Sequence, residues 1–152
     1  MSELTMKPRN LTLDNALHGV GDLLKDRISP AISDPFARQM ARLSCMLLTI
    51  CANGVDDAAE LRVEENALIR RMLGEAAALV PAPLAEKLHA AAVSTDPGLK
   101  ISVLDGENHR LRVLLVKAQA ALEASGDADA RMLDQRIWRL LEAVEAKRTP
   151  RE

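Results

Sequence analysis

Glycine and proline are spaced along this chain so that only helix-length runs lie between them, and this constrains the fold most. About six such runs can be marked off, and alternation of strand type is hard to find. The first spans about Thr12 to Arg27, with Leu13, Leu17, Val20 and Leu24 on one stripe, weakened by Gly19 and Gly21 and closed by Pro30. "SDPF" then gives a strong start signal, Asp34 as N-cap and Pro35 at the first helical position. That second run turns Phe36, Met40, Leu43, Leu47 and Ile50 inward and stops at Asn53-Gly54. A third begins at Asp57, with Glu60 completing a capping box, and reaches Val80 before "PAP". A short fourth covers Leu84 to Val93. Lys100–Leu104, the one stretch with β-like residues, leads into a fifth that ends at Ser125-Gly126. "GDAD" caps a sixth, with Leu133, Ile137, Leu140, Leu141 and Val144 inward.

The fold expected is all-α: an antiparallel bundle of about six helices, the four longer ones (second, third, fifth and sixth) forming the core and the first and fourth packing across. Residues 1–11 are expected to be a disordered leader, 12–147 a single domain and 148–152 a frayed tail. With one phenylalanine, one tryptophan and no tyrosine, the core has to be aliphatic. The same scarcity removes the stacking platforms of base-binding surfaces, and a net charge of −2 supplies no field for nucleic acid or acidic membranes. The polar start "MSELTMKPRN" has no signal-peptide apolar run, and "CMLLTICA" is far shorter than the about 20 residues of a membrane span. A cytoplasmic protein is expected. Cys45 and Cys51, on different sides of one helix, read as reduced thiols.

"VEENALIRRML" at Val63–Leu73 recurs in dilute form as "GENHRLRVLL" at Gly106–Leu115. The copies align Glu65 with Glu107, Asn66 with Asn108, Ile69 with Leu111, Arg70 with Arg112 and Leu73 with Leu115. At about 100° per residue the shared aliphatics form one stripe, the glutamates fall near its middle, the asparagines at its edge, and the arginines point away toward solvent. A carboxylate on a core-facing stripe has to be paired, hydrogen-bonded or protonated. If the two helices are antiparallel neighbours, Glu65, Asn66, Glu107 and Asn108 open into one polar pocket for a ligand, a water or a metal. The plainer alternative is that Glu107 sits in a first helical turn and Glu65 reaches a neighbouring arginine.

Other chemistry is sparse. Glu86 and His89 have the Glu-x-x-His spacing of di-iron bundles, but the second motif is missing, so a solvated face is expected and no metal or cofactor is assigned. His18 and His109 lack partners at metal spacing. "HGVGDLL" has neither the lysine nor the preceding strand of a phosphate loop. A helix-turn-helix around Cys51–Leu68 would present Asp57, Glu60, Glu64 and Glu65 to phosphates, which argues against DNA. Trp138 lies about 120° from the centre of its helix's apolar stripe, so it is either a partner surface or core covered on a second side.

Around "LRVEENALIRRMLGE" and "ISVLDGENHRLRVLLVKAQAALE" the sequence resembles an uncharacterised family of small all-helical bacterial proteins associated with acyl-CoA-dehydrogenase-like and aminoglycoside-phosphotransferase-like enzymes. The resemblance touches about half the chain and brings no catalytic residues. It implies an accessory role beside such enzymes. The expected function is therefore a non-catalytic interaction protein, homodimeric and acting with a metabolic enzyme partner. The alternative is a small-molecule site, catalytic or not, at Glu65 and Glu107.

Overall fold

In the computed structural model, residues 11–55 and 57–148 are described, the side chain of Arg148 excepted. The leader before Leu11 and the tail beyond Arg148 lie outside them. All the regular structure described is helical, as expected. The 12–147 stretch, however, divides into two compact units, with the boundary at Asp57.

The first unit comprises α1 (Leu13–Leu23), a π-helical segment (Leu24–Ile28), the single turn α2 (Ser29–Ala31) and α3 (Pro35–Val55). The sequence predicts that Pro30 closes the first helix. Instead the chain widens by one residue before that proline, Ser29 N–H donating to the carbonyl of Leu24, and helical backbone continues to Ala31. Proline clashes with the carbonyl four residues back and has no N–H to give, and a widened turn relieves both problems. Arg38 then donates to the Ile32 carbonyl at 2.9 and 2.7 Å, and Ala37 N–H donates to Asp34 Oδ2 at 2.7 Å, the cap that "SDPF" announces. α3 folds back on α1, with Leu48 beside Gly21.

This unit buries little. Phe36, Met40, Leu43, Leu47 and Ile50, expected inward, are all exposed, as are Leu13 and Val20 of α1. One neighbouring helix covers only part of the apolar arc that α3 carries.

The second unit comprises α4 (Ala58–Ala77), α5 (Ala82–Ala92), α6 (Ile101–Ser125) and α7 (Ala128–Arg148). The Asp57–Glu60 capping box does not form; no side chain caps α4. Lys100 is the N-cap of α6, so its β-like residues are a first helical turn, and Gly126 ends α6 with φ +68°, a left-handed position that suits glycine. Ion pairs fix the helix directions. Glu75 meets Arg136 while Glu64 meets Lys147, so α4 and α7 run oppositely. The short turn at Gly126 also sends α7 back along α6, and α4 and α6 therefore run the same way. α5 returns the chain between them and approaches α4 closely: a Cβ at Gly74 would stand 3.4 Å from that of Ala92.

The core is Ile69, Met72, Leu73 and Ala76 of α4, Leu88 and Ala91 of α5, Leu111, Leu115, Ala118 and Leu122 of α6, and Ala130, Leu133 and Ile137 of α7. The core set of helices thus differs from the one expected. The short α5 belongs to it, and the long α3 belongs to the other unit.

Candidate functional site

The four candidate residues come together where α4 crosses α6. Glu65, Asn66, Glu107 and Asn108 are all buried. Asn108 Nδ2 donates to Glu65 Oε1 at 2.8 Å and to Asn66 Oδ1 at 2.9 Å. The shared pocket is conditional on antiparallel neighbours, and the two helices run instead in the same sense. Like positions of the two motifs consequently lie side by side.

The two arginines, expected in solvent, divide: Arg70 is buried, whereas the Arg112 side chain stays 37% exposed and is ion-paired. Arg70 is only 8% exposed and donates to Glu107 Oε1 at 2.7 Å and to Asp96 Oδ1 at 2.8 Å. Arg112 reaches Glu65 Oε1 at 2.6 Å. Each motif's glutamate is thus paired with the arginine of the other motif. The 100° rule placed these guanidiniums away from the stripe because it treats one helix at a time. A long side chain lays its stem along apolar surface and carries its head back to a charge on the next helix.

Two further contributors were not singled out in the sequence. Asp96, in the "STDPG" loop, accepts from both Arg70 and Asn66 (2.9 Å) through Oδ1. Arg110 grips Glu107 at 2.8 and 2.7 Å and also touches Ser94 Oγ. A loop carboxylate has no periodicity to reveal it. Arg110, three residues after Glu107, was visible as a same-helix pair.

Three carboxylates (Glu65, Asp96, Glu107) and three guanidiniums (Arg70, Arg110, Arg112) therefore meet in a charge-balanced knot. Hydrogen bonds from Arg110 above all hold the Glu107 carboxyl below its ordinary value; burial opposes this and Arg70 adds to it. Arg110 is raised in return by Glu107. Among the described residues no buried side-chain nitrogen or oxygen lacks a hydrogen-bond partner. The space imagined as a pocket is filled by arginine. On the Arg110 side the knot borders an open groove of about 590 Å³ lined by Lys87, Ser94, His109 and Arg110; beside Glu65 lies a small cavity of about 50 Å³ between α4 and α7, lined by Leu61, Leu68, Leu140 and Val144. The latter is room for water, against several hundred Å³ for a ligand site.

Glu86 and His89 are exposed, as a solvated face requires. No group of three or more potential metal ligands is found among the described residues, and none of the described helices is long and apolar enough to cross a membrane. Trp138 is 53% exposed, so it is not ordinary core. Comparison with protein-family models, with curated proteins and with solved structures gives no match.

Proposed function

We propose that the protein is a non-catalytic helical interaction protein, homodimeric and acting beside a metabolic enzyme. One observation carries this reading. The large exposed aliphatics gather on the 11–55 unit, whose two helices bury almost nothing, while the 57–148 unit has a complete core of its own. Extended apolar surface on a folded chain marks a place of association. The half-exposed Trp138 offers a second contact, for the enzyme partner, since tryptophan supplies large area at interface hot spots. The resemblance to proteins associated with acyl-CoA-dehydrogenase-like and aminoglycoside-phosphotransferase-like enzymes suggests the kind of partner.

The alternative, a ligand or catalytic site at Glu65 and Glu107, draws little support from this geometry. A general base needs a carboxyl whose pKa is raised toward neutrality, and the direction at Glu107 is the opposite. Light scattering of the purified chain, with affinity capture from its own host, tests the proposal. A dimer that retains one of the two enzyme classes is expected. A strict monomer that retains neither sinks it.

A further inference from the structure

Between the widened turn before Pro30 and one side of α3 lies a cavity of about 780 Å³. Its charged lining is Lys25, Asp26, Arg38 and Arg42, three cations against one acid. The chain as a whole has 22 acidic and 20 basic residues, so composition does not account for this surplus. Among the described residues none of the four joins an ion pair. The second unit treats its guanidiniums otherwise, Arg70, Arg110 and Arg112 each meeting a carboxylate. Arg42 makes no side-chain hydrogen bond to a described residue. Arg38 donates only through Nε and Nη2, both to the Ile32 carbonyl, which leaves Nη1 for another acceptor.

Ser29, also on the wall, is a second and independent sign. It is 3% exposed, yet among the described residues its hydroxyl has no hydrogen-bond partner. Ser44 and Thr49 return theirs to the carbonyl four residues back, at 3.0 and 3.1 Å. Ser29 stands where the turn widens, its N–H going five residues back to Leu24, and its hydroxyl makes no such return. No fully enclosed side-chain polar atom of the described residues goes unpaired, so this oxygen lies at the cavity surface. A hydroxyl set so deep costs free energy until something accepts from it or donates to it.

The ligand that suits this lining carries about two negative charges and accepts from several donors at once. A phosphate monoester has a charge of about −1.5 to −2 near neutrality, which matches the surplus of cations. Guanidinium forks and hydroxyls are donors that such a group uses. The volume falls within the roughly 300–1,000 Å³ of small-molecule sites, more than a bare phosphate fills. Pro30, Cys45 and Met46 offer an apolar wall to the rest of the ester. The groove beside Arg110 differs: Glu107 already holds that arginine, and Ser94 Oγ donates to Ala91 and accepts from two guanidiniums.

We infer that this cavity binds a small phosphate monoester with an apolar body, held by Lys25, Arg38, Arg42 and the Ser29 hydroxyl. The site lies within the first unit of one chain, so the inference stands apart from the homodimeric reading above. The test adds phenyl phosphate to the full chain carrying Cys51→Ala, with Cys45, half-buried on the cavity wall, as reporter. Titration calorimetry is expected to give a Kd below about 1 mM. Probe at about ten times that Kd is expected to slow alkylation of Cys45 by iodoacetamide about tenfold. Arg42→Ala is expected to weaken binding about tenfold or more and Ser29→Ala about threefold, as loss of a charge-assisted and of a neutral hydrogen bond would. Both variants are expected to keep the parent's circular dichroism, and Lys87→Ala, in the other groove, to leave binding unchanged. Absence of binding, an unprotected Cys45, binding that survives Arg42→Ala, or binding lost with Lys87→Ala each overturns the inference. Benzoate or inorganic phosphate binding as tightly as phenyl phosphate overturns it too.

Discussion

The two units are built from the same aliphatic vocabulary but use it differently. From Asp57 onward, four helices enclose one another and bury residues such as Leu73, Leu88, Leu111 and Ile137 completely. Before it, two helices share one contact face, and the large side chains on their other faces stay exposed. Apolar periodicity thus shows that a helix has a face to bury. It does not show whether the chain itself supplies the cover.

The sharpest way to break this comparison is to attack the charged knot. Arg70→Ala strips Glu107 and Asp96 of a shared buried partner, and loss of one member of a buried pair costs roughly 3–5 kcal/mol. Urea denaturation is expected to show that loss; a change under about 1 kcal/mol would mean that water replaces the guanidinium freely. Leu111→Ala comes next, with a cavity cost of about 2–5 kcal/mol, whereas Leu13→Ala on the exposed side of α1 is expected to stay within about 0.5 kcal/mol. Comparable costs at the two positions would erase the difference between the units.

The knot also sets an acid limit. A carboxyl held below its ordinary 4.5 when folded contributes stability that is present above that value and lost as pH falls through the lowered one. Denaturation followed from pH 6 downward should therefore steepen below 4.5, and Glu107→Gln should flatten that slope. An unchanged slope would take Glu107 out of the linkage. The smallest effect is expected from Lys147→Ala. It removes a half-exposed surface pair with Glu64 and should change stability by less than about 1 kcal/mol in a thermal melt.

The fold class was legible because periodicity and punctuation act locally. "SDPF" marked the start of α3, and Ser125-Gly126 marked the end of α6. The co-location of Glu65, Asn66, Glu107 and Asn108 was legible too, since two carboxylates on apolar stripes require partners. The shared direction of α4 and α6 was not, because it depends on α5 counting as a full return helix despite its 11 residues. The partners of the glutamates were hidden for a similar reason. A helical wheel records where a side chain leaves its own axis and is silent about the charge that draws its far end, as at Arg70 and Arg112.

The exchange of arginines between the two motifs fixes how α4 and α6 can be aligned. Sliding one helix past the other by a turn, about 5.4 Å, would press a guanidinium against leucine and strand a carboxylate in a dry place. Alternative registers are thereby penalised, although leucines and alanines alone would tolerate several. The same polar residues that first suggested reactivity make this half of the molecule a single-valued object.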